Sequence, residues 1–247
     1  QNFKYNLTVR KTNEAILNSY KGDRKSDDFQ NFLTYAKRVF FSNGIHHHYA
    51  EDKFVPAISQ EYFAELVKNS DASQLPLAEN ESVEEFLTFI TPVIFDENLY
   101  ATRRSGEDDI IKNSATNFYK GDISKEEVEK SYDAQRDPKD ATPISYGLNS
   151  QLVKENGKIY ENVYKSGGLY GEAIDQIIYW LEKANAVAEN DAQRNYTNLL
   201  IDYYKTGDLN TWDEYNIAWV QDSVSMIDYV NGFIEDYGDP MGMKATW

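Results

Sequence analysis

Apolar residues between positions 169 and 190 recur at steps of three and four. Such steps place side chains on one face of an amphipathic helix. The face consists of Ala173, Ile174, Ile177, Ile178, Leu181, Ala184 and Val187. A second helix is predicted to start at Asp191, as its cap, and to end at Gly207 in a left-handed conformation. Its apolar residues are Tyr196, Leu199, Leu200 and Tyr203. The two segments together predict a helical hairpin.

A third apolar stripe follows and predicts another helix, which Gly238, Asp239 and Pro240 would end. The stripe consists of Val220, Val224, Ile227, Val230, Ile234 and Tyr237. Ser82 with Glu85, and Thr211 with Glu214, fit the capping box that opens a helix. Helices are also predicted over residues 8–20, 26–40 and 59–68. The pattern therefore predicts a mainly helical chain.

One stretch predicts strands. Two β-rich runs, residues 150–154 and 158–164, flank Asn156 and Gly157, a pair that accepts the positive φ angles of a type I′ hairpin turn. Ser166, Gly167 and Gly168 form a possible hinge before the long helix. No repeat or long linker indicates a domain boundary. We therefore expect residues 1–247 to form a single lobe of the α+β class, predominantly α-helical with a small β-hairpin or sheet element.

Charge and composition exclude several classes of function. The chain carries 41 acidic and 25 basic residues, which gives a formal net charge of −16. This charge repels nucleic-acid backbones and anionic membrane surfaces. No run approaches the roughly 18 to 20 apolar residues of a membrane span. Cysteine is absent, so neither disulfides nor thiolate chemistry are expected.

The three histidines are adjacent, at positions 46 to 48. Neighbouring side chains diverge by about 100° on a helix and alternate faces on a strand, so the three do not easily converge on one ion. This spacing favours a structural or substrate-facing role. Zinc hydrolysis by these histidines with Glu51 or Asp52 stays open as an alternative. Templates for a serine nucleophile, a phosphate loop or a dinucleotide site are missing.

Two stretches resemble the dipeptidyl peptidase III family. Residues 231–242, N-G-F-I-E-D-Y-G-D-P-M-G, resemble its segment G-F-I-E-x-Y-x-D-P-x-G. Residues 42–56, S-N-G-I-H-H-H-Y-A-E-D-K-F-V-P, resemble its S-N-x-G followed by D-x-K-F-V-P. Looser matches fall between these two in the family's order. The resemblance therefore extends over nearly the whole chain.

The resemblance implies most of the lower, peptide-binding lobe of a two-lobed zinc exopeptidase, which releases dipeptides from the amino terminus of short peptides. The family binds zinc through an H-E-x-x-G-H helix and a later E-E-C-R-x-[DE] segment, and this chain contains neither. We therefore expect the zinc ligands to lie outside the chain, in the remaining zinc-binding lobe of the same protein, and the chain alone to be inactive. The implied partners are short peptides with a free amino terminus. The implied location is cytoplasmic, with a periplasmic or lipoprotein-anchored parent as the alternative.

The resemblance also assigns site residues. Glu235 matches the glutamate that anchors the α-ammonium of the substrate, and Tyr237 matches the tyrosine whose hydroxyl donates to the carbonyl oxygen as charge develops there. Further substrate-binding candidates are Asn43, Gly44, His48 and Tyr49. Without the resemblance, the apolar stripe would make Glu235 a helix-surface acid and Tyr237 a core residue.

Asp239 and Pro240 are expected to form a turn that orients Glu235 and Tyr237. The rival interpretation of the whole chain is a non-catalytic module, either a peptide-binding lobe that stands alone or a helical scaffold.

Overall fold

The computed structural model describes residues 3–247 and divides the chain into two compact units, Gln1–Asn117 and Phe118–Trp247. The possible hinge at residues 166–168 lies inside the second unit. The boundary at residues 117 and 118 carries no glycine, proline or linker composition that would have revealed it.

The first unit is helical. Its helices are α1 (Asn6–Ser19), α2 (Asp27–Phe41), α3 (Gln60–Lys68), α4 (Val83–Phe95) and the short α5 (Ile110–Asn113). A single 3-10 turn, Ala72–Gln74, follows α3. The apolar faces of the first four helices form one core, whose fully buried members include Val9, Ile16, Phe32, Leu66 and Ile90.

Serine caps start three of these helices, and the sequence predicts the cap at Ser82. The hydroxyls of Ser26, Ser59 and Ser82 accept hydrogen bonds from amides three residues later, at 3.1 to 3.2 Å. At Ser82 the carboxylate of Glu85 completes the capping box, because it accepts from the Ser82 amide at 2.9 Å. Each cap satisfies amide groups that the first helical turn leaves without an acceptor. The predicted helices at residues 26–40 and 59–68 are confirmed within one residue, and α1 begins two residues before the predicted position 8.

The second unit combines a small sheet with a helical layer. Its strands are β1 (Tyr119–Lys120), β2 (Ser150–Glu155) and β3 (Lys158–Val163), and its helices are α6 (Lys125–Asp133), α7 (Gly171–Ala186), α8 (Asp191–Thr206) and α9 (Leu209–Gln221). The strand order is β1-β2-β3, with β1 parallel to β2 and β2 antiparallel to β3. Asn156 and Gly157 have φ angles of 50° and 76°, so the predicted hairpin turn is confirmed. The two-residue strand β1 was not predicted.

The predicted helical hairpin is also confirmed. Ile174, Ile178 and Leu181 of α7 pack with buried tyrosines of α8 and with Trp212 of α9. Gly207 ends α8 in a left-handed conformation, with a φ of 74°. The cap of α8 is Asn190, whose side chain accepts from the Gln193 amide, and Asp191 is the first helical residue. The chain is thus α+β and predominantly helical.

The predicted third helix is wrong beyond Gln221. Residues 222–235 form an irregular loop, in which Val224, Ile227 and Val230 are about 70% exposed. The carboxylate of Asp222 accepts from the amides of Val224 and Ser225, and this local turn ends α9. Short acidic side chains compete with helical hydrogen bonds in this way, so the apolar periodicity does not continue as a helix.

The start of α9 also differs from the prediction. Asp208 caps the helix by accepting from the Asn210 amide at 2.9 Å. Thr211 and Glu214 therefore lie inside the helix and do not form its capping box. Asp208 stands directly after the left-handed Gly207 that closes α8, so the connection between α8 and α9 is short. Within residues 3–247, none of the helices has the length and apolarity that crossing a bilayer requires.

Candidate functional site

The candidate residues fall into two groups, one in each unit. Asn43, Gly44, His48 and Tyr49 belong to residues 42–54, which we call the histidine turn. Glu235 and Tyr237 belong to residues 231–247, which we call the C-terminal loop. Each group is described within its own unit.

The histidine turn begins where α2 ends, and Asn6 of α1 holds it in place. The Asn6 side chain accepts from the Ile45 amide at 3.1 Å and donates to the Asn43 carbonyl at 3.4 Å. Asn43 has a positive φ of 52°. A Cβ added to Gly44 would lie 2.3 Å from the Asn6 Nδ2 atom, which is closer than atoms can approach. A larger residue at position 44 would therefore have to displace the Asn6 side chain, so packing favours glycine there.

Each histidine has a different local role. His46 is buried, and its Nε2 donates to the Tyr100 carbonyl at 2.8 Å, since a carbonyl only accepts. Burial lowers the pKa of His46, so this imidazole is neutral near pH 7. His47 Nδ1 accepts from the amides of Tyr49 and Ala50 at 3.2 and 3.0 Å. His48 Nδ1 lies 3.2 Å from the Ser42 hydroxyl.

This arrangement does not fit a zinc ion. The rings of His47 and His48 stack with centroids 4.9 Å apart and planes inclined by 16°, so their lone pairs lie in near-parallel planes. Zinc needs nitrogens that converge at about 2.0 to 2.1 Å. Glu51, one of the two acids considered as a further ligand, is bound by Arg103 and Arg104. In the described part of the chain, no three histidine, aspartate or glutamate side chains are grouped to hold a metal.

Glu51 is the half-buried centre of an ion-pair cluster in the first unit. Burial acts to raise the pKa of its carboxyl, but hydrogen bonds from Arg104 and Arg103 outweigh this effect and leave the pKa below its usual range. The Glu51 side chain is only 17% exposed. Its contacts fix the far end of the histidine turn to residues 103 and 104.

The structure distributes the first group over different surfaces. His48 lines a cavity of about 750 Å³ together with His47, Lys37 and Arg38. Its apolar lining comes from Phe41, Phe54 and Val55. Asn43 and Gly44 line another cavity, of about 220 Å³. The side chain of Tyr49 is 84% exposed.

In the C-terminal loop, two hydrogen bonds to Thr246 hold the backbone of Glu235, and the Glu235 side chain is exposed. The Glu235 amide donates to the Thr246 carbonyl at 3.2 Å, and the Thr246 amide donates to the Glu235 carbonyl at 3.1 Å. Residues Asp236–Gly238 form a 3-10 turn, and Tyr237 is 62% exposed. The interpretation of Glu235 as a helix-surface acid and of Tyr237 as a core residue is therefore wrong, because no helix runs through this segment.

Asp239 forms the centre of a closed turn behind these residues. One carboxylate oxygen accepts from the amides of Met243 and Lys244 at 2.9 Å and from the Tyr119 hydroxyl at 3.0 Å. The other oxygen accepts from the Met241 amide at 3.1 Å. Asp239 is 3% exposed, so these contacts replace the water that its charge requires.

Lys244 is fully buried beside this turn, and the sequence reasoning missed it. Its ammonium donates to the Tyr132 hydroxyl at 2.6 Å, to the Ser150 hydroxyl and carbonyl at 3.1 Å and to the Gly147 carbonyl at 3.2 Å. Burial lowers its pKa to about 8, although the carboxylates of Glu161 and Asp239 oppose the shift. A lysine carries no sequence signal for burial, since lysines almost always face solvent.

Comparison with known proteins first indicates the class of protein that this chain resembles. Residues 147–247, which contain Glu235 and Tyr237, match the model of Peptidase family M49. This part of the chain is therefore similar to a family of peptidases. The resemblance to the dipeptidyl peptidase III family that the sequence predicted is confirmed, and the relatives that match over 90% of this chain are proteins named dipeptidyl peptidase 3.

Dipeptidyl peptidase 3 of Rattus norvegicus is 22% identical over 258 residues, which cover 90% of this chain and 33% of the relative. The protein of Homo sapiens is 23% identical, with the same coverage. This chain thus spans about a third of the length of the curated relatives that it matches. The structure of DPP III from Caldithrix abyssi aligns with a TM-score of 0.43 at 20% sequence identity, over 91% of this chain and 38% of that chain.

Proposed function

We propose that this chain is the peptide-binding part of the lower lobe of a zinc-dependent exopeptidase, which releases dipeptides from the amino terminus of short peptides. The observation that carries the proposal is the family match over residues 147–247, a range that includes Glu235 and Tyr237. The sequence resemblance assigns these two residues to the motif. Residues 1–247 belong to a single lobe in this proposal, and residues 166–168 are its possible hinge. The chain alone is inactive.

Glu235 serves as the anchor for the amino terminus of the peptide. Its carboxylate is exposed, while its backbone is tied to Thr246 on both its amide and its carbonyl. A carboxylate binds a charged α-ammonium through a charge-assisted hydrogen bond, which is stronger than one to a neutral amide. Because the Glu235 backbone is held in place, the peptide's amino terminus binds at a defined position. The bond that is cut then lies at a set distance from that amino terminus.

Tyr237 is the catalytic residue that this chain contributes. It lies two residues after Glu235, on the 3-10 turn that Glu235 precedes, and its side chain is exposed. Its phenol would donate a hydrogen bond to the scissile carbonyl oxygen as negative charge develops there. Zinc, when bound by the remaining lobe, would supply Lewis-acid activation of water. The described residues of this chain do not fit as ligands for that ion.

The histidine turn contributes substrate contacts in this proposal. His48 lines the cavity of about 750 Å³ in the first unit, and Tyr49 is exposed beside it in sequence. Asn43 and Gly44 line the neighbouring cavity, where packing against Asn6 already favours glycine. We assign all four residues to substrate binding.

The partners are short peptides with a free amino terminus and the zinc-binding lobe of the same protein. A net charge of −16 disfavours nucleic acid as a partner. The cytoplasm is the proposed location of the parent, with a periplasmic or lipoprotein-anchored form as the alternative.

The test is isothermal titration in zinc-free buffer with a short peptide and with its amino-terminally acetylated twin. The chain should bind the free peptide more tightly, by about tenfold or more, because acetylation removes the charge that Glu235 recognises. Glu235→Gln should abolish the difference. Asp236→Asn, which changes an adjacent exposed carboxylate, is the matched control and should preserve it. Equal affinity for both peptides in the unmodified chain would refute the anchor and favour a non-catalytic binding module.

A further inference from the structure

We propose that Lys244 is a positioning residue for the amino-terminal anchor: its buried ammonium holds the C-terminal loop so that Thr246 fixes the backbone of Glu235. This proposal rests on the proposed function, because that function makes Glu235 the anchor for the peptide's amino terminus. The contacts of Lys244 that support it do not depend on that function.

The groups around the Lys244 side chain are hydrogen-bond acceptors, which suit a charged ammonium. Of the contacts of Nζ, the Gly147 and Ser150 carbonyls can only accept. The Tyr132 hydroxyl donates its own proton to Glu161 at 2.8 Å, so it too accepts from Lys244. A neutral amine has only two N–H groups and would turn a lone pair toward an acceptor. The ammonium has three N–H groups for the four oxygens around it, so two oxygens share one donor, and it satisfies more of them than the neutral amine can.

Two hydroxyls connect the charge of Lys244 to a carboxylate on the sheet. Tyr132 and Ser150 both donate to the same oxygen of Glu161, at 2.8 and 2.7 Å, and both contact Nζ. The lysine and the glutamate therefore form an ion pair bridged by hydroxyl groups. Such a network joins α6, β2 and β3 to the segment that carries Lys244.

The same segment leads directly to Glu235. The Lys244 amide is bound by Asp239, and the next amide, of Ala245, donates to the Leu148 carbonyl at 2.9 Å. Thr246 follows and exchanges backbone hydrogen bonds with Glu235. The backbone between the buried lysine and the anchor is thus bonded at every step, and the side chain of Lys244 secures its inner end.

The titratable groups that face Lys244 come from four parts of the second unit. The facing groups are Glu161 from β3, Asp239 from the C-terminal loop, Tyr132 from α6 and Tyr119 from β1. Burial raises the pKa of both tyrosines far above their usual range. All three histidines lie in the first unit. A transition near pH 8 in the C-terminal loop that is lost in Lys244→Met would therefore belong to Lys244.

The first test follows the carbonyl carbon shifts of Glu235 and Thr246 by nuclear magnetic resonance, without peptide, from about pH 6 to about pH 10. Both shifts should change together with a midpoint near pH 8, and Lys244→Met should remove the change. A role confined to stability would leave these two carbonyls unresponsive. Titration of the Lys244 side chain with no response at Glu235 and Thr246 would overturn the proposal.

The second test repeats the peptide titrations with Lys244→Met. Its affinity for the free peptide should fall by about tenfold, while its affinity for the acetylated peptide should not change. Lys158→Met, at an exposed lysine of the hairpin, is the matched control and should bind like the unmodified chain. If the unmodified chain distinguishes the two peptides and Lys244→Met does so equally well, this inference fails and the proposed function stands.

A milder variant covers the case in which Lys244→Met does not fold. Ser150→Ala removes one acceptor of the ammonium and one donor to Glu161 but keeps the Ser150 carbonyl. It should reduce the shift change at Thr246 and weaken binding of the free peptide selectively. An unchanged shift profile in folded Ser150→Ala would contradict the positioning role. If the unmodified chain binds both peptides equally, the proposed function is refuted. The carbonyl shifts of Glu235 and Thr246 then decide by themselves whether Lys244 positions the C-terminal loop.

Discussion

Replacing Asp239 by alanine removes the centre of the C-terminal turn. The carboxylate accepts three backbone hydrogen bonds, from Met241, Met243 and Lys244, and one from the Tyr119 hydroxyl. Alanine cannot accept any of them. We therefore expect Asp239→Ala to destabilise the second unit strongly.

The loss of stability in Asp239→Ala depends on which of the four donors can form hydrogen bonds to water instead. The Lys244 amide and the Tyr119 hydroxyl belong to buried residues, so each stays without an acceptor at a cost of about 1 to 3 kcal/mol. Met241 and Met243 are half-buried, and their amides can bond to water instead. Relief from burying the Asp239 charge offsets part of the loss. The expected decrease in the free energy of unfolding is about 3 kcal/mol.

Urea unfolding followed by tryptophan fluorescence measures this decrease selectively. All four tryptophans lie in the second unit, at positions 180, 212, 219 and 247, so the signal reports that unit. Asp236→Ala, at an exposed aspartate of the same loop, is the control and should change the free energy by no more than about 0.5 kcal/mol. A loss below about 1 kcal/mol for Asp239→Ala would refute the reasoning, because it would mean that the buried donors find other acceptors.

Two further predictions concern the first unit. Glu51→Gln should lower its stability near pH 7, since the pKa of Glu51 is lowered in the folded chain. The stabilisation is present above the unfolded value of about 4.3 and is lost as the pH falls through the lower folded value, so the difference from the unmodified chain should disappear in acid. Thermal unfolding monitored by circular dichroism tests this, and a difference that does not vary with pH would contradict the ion pair. Gly44→Ala should cost about 1 to 3 kcal/mol, because the added methyl group would lie 2.3 Å from the Asn6 side chain. Gly106→Ala, where nothing lies within 4 Å, is its control, and equal stability of the two variants would show that the histidine turn can shift.

Local signals predicted much of the fold. Ser26, Ser59 and Ser82 mark helix starts because a hydroxyl close in sequence satisfies the free amides there. Asn156 and Gly157 mark the hairpin because they tolerate positive φ angles. Each of these features depends on residues within a few positions of one another, and such features can be predicted without knowing the rest of the fold.

The features that the sequence predicted wrongly or missed depend on residues far apart in the chain. The apolar stripe from Val220 to Tyr237 predicts a helix, yet Asp222 ends α9 and the loop leaves Val224 and Val230 exposed. Periodicity shows which face of a helix would be apolar, but it does not show whether a core is present to cover that face. The parallel pairing of β1 with β2 joins segments about 30 residues apart, and two residues are too few to give a pattern.

For the candidate site, the order of amino acids was enough to show that two stretches resemble a peptidase motif, and family comparison confirmed the resemblance. The geometry around them came only from the tertiary structure. It placed Glu235 at a backbone bridge with Thr246, surrounded the Asp239 carboxylate with donors and buried the ammonium of Lys244 among oxygens. The physical reason is that a charge can be buried only where distant segments supply partners in three dimensions, and their approach is not encoded in any local pattern.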